Sequence, residues 1–137
     1  MPVTKQPRYI SPDDWLDALN NEHKILVFAL LNQWMKIDTK LYLKISYNTL
    51  FIYRLGPVCY FNLDKKGIYV GFYWGKEITE CVELFETDER KMIKIIRLEE
   101  NTVQLEEEAL LAIFLNALDV DEGRYGKMEN GKSRIYD

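Results

Sequence analysis

Hydrophobic side chains follow two different periods along this chain, and the period changes near residue 41. From 12 to 35 they recur at the three- and four-residue spacing of an amphipathic helix. Beyond residue 41 they alternate with a period of two, which is typical of strands with one buried face. A further strand is predicted near 92–98 and a well-buried helix near 104–118. This order predicts an α+β fold, in which an antiparallel sheet of about four or more strands carries helices mainly on one face.

Local signals place the ends of the first two helices. Ser11 is a good N-cap, Pro12 suits the first helical position, and acidic side chains follow in the first turn. Asn20 and Asn21 predict a break before a second helical stretch that ends near Met35. We expect this region to form a broken helix pair that packs on the sheet.

Three strands are predicted near 42–53, 58–63 and 68–74. Gly56-Pro57 separates the first two, and the Asp-Lys-Lys-Gly sequence at 64–67 predicts a hairpin turn with glycine where a positive φ is needed. Because such short connections cannot join parallel strands, the three strands must form an antiparallel meander.

The two parities of these strands carry different side chains. One parity is mostly aliphatic and is predicted to face the helices: Leu50, Ile52, Cys59, Phe61, Leu63, Ile68, Val70, Phe72 and Trp74. The other parity predicts an aromatic face, formed by Tyr47, Phe51, Tyr53, Tyr60, Tyr69 and Tyr73. Large apolar patches usually mark an interface or a groove, and tyrosine suits both roles because its ring is apolar and its tip polar. The alternative is a second small core, covered by the connection 75–90 or by the C-terminal tail.

Length and composition indicate a single α+β domain over residues 1–137. The 47% hydrophobic content can support a core without metal or disulfide staples. Residues 119–137 are charged and glycine-rich, so they are predicted to form a tail with a short hairpin near 129–132. With 18 basic and 22 acidic residues the net charge is −4, which argues against nucleic acid as the main partner.

The cysteines and the apolar runs indicate a cytoplasmic protein. Cys59 and Cys81 form no CxxC pair, and free thiols are expected in a reducing compartment. The first ten residues lack the apolar region of a signal peptide. Since no apolar run approaches the roughly 18 residues of a membrane span, no membrane partner is expected.

Basic side chains near the predicted aromatic face could contact an anionic small molecule or a phosphate-bearing partner. They are Lys44, Arg90, Lys91, Lys94 and Arg97. The candidate ligand-binding set is therefore Tyr47, Tyr53, Tyr60, Tyr69, Tyr73, Lys44, Lys94 and Arg97. The occupant of this face could be a small molecule, another protein, or a second copy of this chain.

Signals for metal binding and catalysis are sparse. The side chains of Asp13, Asp14 and Asp17 could bind a hard cation such as iron, although the helix dipole alone explains acidic residues at a helix N-terminus. His23 is the single histidine and is expected at the surface or at its boundary. No phosphate-binding loop, nucleophile elbow or HExxH motif is present, so no catalytic residue is assigned.

Five segments follow one another in a recognisable order: KISYNTLFIY at 44–53, GPVCYFN at 56–62, GIYVGF at 67–72, RKMIKIIRL at 90–98 and EEAL at 107–110. Over roughly residues 40–118 they resemble the YdhG-like family of unknown function, also called frataxin-like iron chaperones. One departure is Leu50, where many members have a proline. The resemblance implies helices on one side of a curved antiparallel sheet, with iron as the one possible cofactor.

These observations predict a small, non-catalytic cytoplasmic protein that binds a ligand or a protein partner on an aromatic sheet face. Two alternatives stay open, namely a frataxin-like iron-binding chaperone and an enzyme with an unrecognised acid–base pair.

Overall fold

A computed structural model describes residues 7–87 and 90–129 of the 137-residue chain, with side chains as far as residue 126. The strands are β1 (Tyr42–Ser46), β2 (Thr49–Tyr53), β3 (Pro57–Asp64), β4 (Gly67–Phe72) and β5 (Lys94–Arg97). The helices are α1 (Pro12–Asp17), α2 (Asn21–Trp34), α3 (Glu100–Leu105) and α4 (Glu107–Glu129). The strands form one antiparallel sheet in the order β1-β2-β3-β4-β5, so the predicted α+β fold is confirmed.

The N-terminal helices begin where the sequence signals place them. The Oγ of Ser11 accepts a hydrogen bond from the Asp14 N–H at 3.2 Å, which caps α1. The Oδ1 of Asn20 accepts one from the His23 N–H at 2.8 Å, which caps α2. The predicted break at Asn20 and Asn21 is therefore confirmed.

The predicted strand 42–53 is in fact two strands joined by a two-residue turn, which the sequence analysis missed. Tyr47 and Asn48 both have positive φ, 52° and 56°, as in a type I′ turn. The Asn48 side chain holds this turn, because its Oδ1 accepts from the Tyr9 N–H and its Nδ2 donates to the Pro7 carbonyl, each at 2.8 Å. The hairpin adds a strand to the sheet and makes β1 its edge.

The aliphatic side of the sheet packs against the helices, as its parity predicted. Trp34 of α2 is fully buried; its ring stacks on Phe114 of α4 with centroids 4.5 Å apart and lies 6.1 Å from Phe72 of β4. The same core contains Leu50, Ile52, Cys59, Phe61, Ile68 and Val70. Of the residues assigned to this side, Leu63 is 41% exposed at the end of β3, and Trp74 is half-buried after β4.

The C-terminal helix is longer than predicted. The helix expected near 104–118 is divided between α3 and α4, and α4 continues to Glu129. Residues 119–129 are therefore helical, and the prediction of a tail beginning at residue 119 is wrong there. Most of the hairpin predicted near 129–132, together with the end of the chain, lies outside the described residues.

A buried carboxylate explains why this charged segment stays on the body of the protein. Asp121 of α4 is only 1% exposed. Its carboxylate accepts hydrogen bonds from the backbone N–H of Leu55 at 3.0 Å and of Gly56 at 2.8 Å. The Nη1 of Arg54 lies 3.5 Å from the same carboxylate. Asp121 thus joins α4 to the loop between β2 and β3.

Candidate binding surface on the aromatic face

Aromatic rings from adjacent strands form a second buried cluster on the face that the helices do not cover. Phe51, Tyr60, Tyr69 and Ile95 are its buried members, and none comes from a helix. The Phe51 and Tyr60 rings stack with centroids 5.0 Å apart, and Tyr60 meets Tyr69 edge-on at 6.1 Å. The predicted separation of aliphatic and aromatic faces is confirmed, because the helix-facing core contains none of these residues.

Gly71 is the residue that lets the Tyr60 ring lie flat on the sheet. The two residues are directly opposite in β3 and β4. A Cβ added at Gly71 would lie 2.5 Å from the Cζ of Tyr60, far inside van der Waals contact. The absence of a side chain at this position therefore allows the ring to occupy the centre of the face.

The β1–β2 end of the aromatic face remains open to solvent. Tyr42 is 47% exposed, and its ring stacks on Tyr53 with centroids 5.7 Å apart. The Lys44 amine lies 4.9 Å from the centroid of the same Tyr53 ring. Tyr47, in the turn, is 85% exposed and lies 6.4 Å from Phe51. We call Tyr42, Lys44, Tyr47 and Tyr53 the open rim.

Tyr42 is the member of the open rim that the sequence analysis did not select. It lies opposite Tyr53 only because the hairpin pairs β1 with β2. The alternation of the sequence already placed Tyr42 on the same parity as Lys44, so recognition of the Tyr47-Asn48 turn would have been enough to find it.

The structure divides the predicted tyrosines into buried and accessible rings. Tyr60 and Tyr69 are only 9% and 6% exposed, which leaves little ring surface for a ligand. Tyr73 is half-buried, and its ring lies 6.3 Å from Phe51. The centre of the face is a small core and its β1–β2 end is accessible, so each interpretation describes part of the face. The cover expected from the connection 75–90 or from the tail is not found among the described residues, because no member of this cluster comes from residues 75–87 or from α4.

Arg97, predicted as an anion contact, is already bound by two carboxylates. Its Nη1 and Nη2 donate to the Asp64 carboxylate at 2.6 and 3.0 Å, and its Nε donates to Glu86 at 3.0 Å. These bonds raise the pKa of Arg97, and the guanidinium in turn lowers the pKa of Asp64. The Arg97 guanidinium also lies 5.3 Å from the Tyr69 ring centroid, so it closes the β5 end of the aromatic face.

Lys94 does not belong to the aromatic face. It lies opposite Phe72 in β5, which places it on the helix side of the sheet, and its amine donates to the Arg90 carbonyl at 2.9 Å. The expectation that Lys94 borders the tyrosines is wrong because the register of β5 directs Ile95 and Arg97, not Lys94, to that face. Lys44 is the predicted cation that the structure brings to the accessible rings.

The predicted metal ligands do not converge. Asp13, Asp14 and Asp17 are exposed on α1. Among the side chains described, those of residues 7–87 and 90–126, no three from His, Cys, Asp or Glu come close enough to hold a metal ion. Cys59, in the core, and the half-buried Cys81 are free thiols, as expected, and burial raises the pKa of both.

A groove of about 530 Å³ on the helix side was not anticipated from the sequence. It lies between α2, α3 and the β3–β4 turn. Leu26, Ile68 and Leu98 supply part of its apolar lining. Polar and charged groups come from Glu22, His23, Lys66, Glu99, Glu100 and Gln104. Its volume falls within the range of small-molecule sites. The sequence offered only a weak signal, namely a histidine one helical turn before Leu26.

The carboxylates with shifted pKa values serve ion pairs between chain segments. The Lys40 N–H and the Arg54 guanidinium lower the pKa of Asp38, and Arg54 bonds Asp38 at 2.7 Å. In many catalytic sites, two neighbouring titratable groups in a cleft have pKa values that are shifted in opposite directions. Asp38 and Asp64 are both lowered, and neither lines the groove.

Among the described residues, no helix has the length and apolar character needed to cross a membrane. Comparisons with protein-family models, with curated proteins and with solved structures found no match to this chain.

Proposed function

We propose that this chain is a non-catalytic binding protein that receives another polypeptide along the open rim. The observation that carries the proposal is the accessible stack of Tyr42 on Tyr53, with Lys44 over the Tyr53 ring. Aromatic side chains dominate binding energy at protein interfaces. Because Tyr53 also packs on the buried Phe51 at 5.8 Å, the rings are held in place before binding, which reduces the entropy lost on association.

A polypeptide fits this surface better than a small molecule does. Sites for small molecules are concave, whereas the centre of the aromatic face is filled by its own rings. The open rim also adjoins the edge strand β1, where an extended chain could form main-chain hydrogen bonds. The phenolic tips and the Lys44 amine can donate hydrogen bonds to a partner segment, and the exposed rings can receive a cation from it.

A random peptide library displayed on phage tests this proposal. Binders are selected on the immobilised protein, and their sites are then mapped by amide chemical-shift changes. We expect the largest changes at Tyr42, Lys44 and Tyr53. Selection of no binders, or binders that map only to the helix layer, would contradict the proposal.

Two variants serve as a matched pair in this experiment. The double variant Tyr42→Ser, Tyr53→Ser should weaken peptide binding at least about tenfold, since it removes two aromatic anchors. Leu115→Ser is the control, because Leu115 is 43% exposed on α4 and resembles Tyr42 in accessibility. Equal losses in both variants would show that exposed apolar area in general, and not the open rim, drives binding.

The groove between α2 and α3 supports a second candidate function, the binding of a small molecule with an apolar body. Its volume of about 530 Å³ and its apolar lining favour this candidate. A fragment screen by chemical-shift mapping separates the two functions, since groove ligands would shift the amides of His23 and Leu26 and leave Tyr42 unchanged.

Membership in the YdhG-like family and a cytoplasmic location are part of the proposal. The five matching segments support the first, and the free cysteines are compatible with the second. An iron-handling role rests on the family resemblance alone. Anaerobic calorimetric titration with ferrous iron tests that role, and the absence of saturable binding would exclude it.

A further inference from the structure

The two edges of the sheet differ in how completely their backbone groups are bonded. At the β5 edge, the Glu86 N–H donates to the Ile95 carbonyl at 2.8 Å, and Glu86 also bonds Arg97. The chain itself therefore covers part of that edge. Exposed edges are templates for pairing with another strand, so β1 at the opposite edge is the one to consider.

The turn between β1 and β2 determines which backbone groups of β1 are unpaired. In a two-residue hairpin the residues that flank the turn, here Ser46 and Thr49, form a hydrogen-bonded pair. Alternation then directs the backbone groups of Leu43 and Ile45 away from β2. In the part of the chain that the structure describes, neither residue has a backbone partner on that outer side.

We propose that β1 pairs in antiparallel fashion with β1 of a second copy, across a two-fold axis at Leu43. This inference rests on the proposed function and names a second copy of the chain as the polypeptide at the open rim. With Leu43 opposite its own equivalent, Tyr42 of each copy lies opposite Lys44 of the other, on the aromatic face. Each copy thus places a cation beside an accessible aromatic ring, and the pairing occurs twice.

The two registers with the axis nearer the turn are less favourable. An axis at Lys44 would place the two ammonium groups directly opposite each other, and like charges in that position destabilise a strand pair. An axis at Ile45 would set Leu43 opposite Tyr47, which lies in the turn and not in a strand. The register with Leu43 on the axis avoids both problems, and it places the Tyr42 ring of one copy opposite the Lys44 cation of the other.

The resulting dimer is closed. Pairing of the two β1 edges forms one continuous sheet, with the aromatic faces on one side and the helices on the other. A two-fold β1–β1 contact uses the same edge of both copies, so it closes at two copies, and the segment around Glu86 lies along part of the β5 edge. One five-residue strand per copy makes a small interface, so we expect a reversible dimer.

Sedimentation velocity over a wide concentration range tests the dimer, with Leu43→Pro as the main variant. Proline at Leu43 removes an N–H that points away from β2, which an edge strand tolerates. We expect the wild-type protein to dimerise reversibly and Leu43→Pro to raise the dissociation constant at least about tenfold. Leu115→Ser, on α4, should leave it unchanged.

Tyr42→Ser provides a second variant if Leu43→Pro does not fold, since it alters only a side chain. It should also weaken the dimer, because the ring that meets Lys44 of the second copy is removed. A wild-type protein that stays monomeric up to about 1 mM, or a dimer that survives both variants, would overturn the inference. If the protein is monomeric but peptides from the library still map to the open rim, only the dimer is ruled out. If it is monomeric and the library yields no binders, the proposed function is ruled out as well.

Discussion

Replacement of Asp121 with alanine should lower the free energy of unfolding by far more than its place in a charged segment suggests. The substitution removes a buried carboxylate that accepts two backbone N–H groups, those of Leu55 and Gly56. Both donors lie in the β2–β3 loop, and Gly56 is buried. In the variant they would lose their partner without gaining full access to water.

The size of the expected loss in unfolding free energy follows from these two hydrogen bonds. A hydrogen bond to a charged group contributes about 1.5–3 kcal/mol, so two contribute about 3–6 kcal/mol. The cost of burying the carboxylate offsets part of this. Arg54 is not left unpaired, because Asp38 and Glu122 still bond it at 2.7 and 3.0 Å. We therefore expect Asp121→Ala to lower the free energy of unfolding by about 2–4 kcal/mol, a large share of the usual 5–15 kcal/mol.

Urea unfolding followed by far-UV circular dichroism measures this loss. Asp119→Ala is the matched control, since Asp119 is an exposed aspartate on the same helix. Its effect should lie within about 0.5 kcal/mol of zero. If Asp121→Ala and Asp119→Ala unfold with free energies equal within error, the carboxylate does not anchor α4, and the account of the C-terminal helix is refuted.

Two further substitutions probe the aromatic face and its closed end. Gly71→Ala should displace the Tyr60 ring, lower the free energy of unfolding by about 1–3 kcal/mol and change the near-UV circular dichroism; an unchanged spectrum would contradict the close contact. Asp64→Asn should lower the free energy of unfolding at pH 7, and this loss should be smaller near pH 3. The lowered pKa of Asp64 means that its ion pair with Arg97 stabilises the fold above the unfolded carboxyl pKa of about 3.9 and is lost as the pH falls through the folded value. If the difference in unfolding free energy between the wild type and Asp64→Asn stays constant from pH 7 to pH 3, the ion pair of Asp64 with Arg97 does not stabilise the fold.

The division of the sheet into two faces was predictable because strand alternation is a local property. Side chains two residues apart share a face whatever the rest of the chain does, so Leu50 and Ile52 could be separated from Phe51 and Tyr53 without knowing their partners. The prediction held as far as the strands were identified. It missed the turn at Tyr47 and Asn48, which interrupts the alternation, although the Tyr47 ring still lies 6.4 Å from Phe51.

The features that escaped prediction depend on contacts between distant residues. A Tyr-Asn turn lacks the glycine that usually marks a type I′ hairpin, and Asn48 is held by Tyr9, 39 residues away. The end of α4 is anchored by Asp121 through a loop 65 residues away. Likewise, the basic character of Arg97 was visible in the sequence, but the carboxylates that bind it come from Asp64 and Glu86, on other segments.

Hydroxyl-radical footprinting of the tyrosines tests most directly whether the open rim is the binding surface. The rate of ring oxidation is measured by mass spectrometry at a concentration where the protein is monomeric, with and without a library-selected peptide. We predict fast oxidation of Tyr42 and Tyr47, slow oxidation of Tyr60 and Tyr69, and protection of Tyr42 and Tyr53 by the peptide. Oxidation of Tyr60 and Tyr69 as fast as that of Tyr42, or protection confined to the helix layer, would contradict the account.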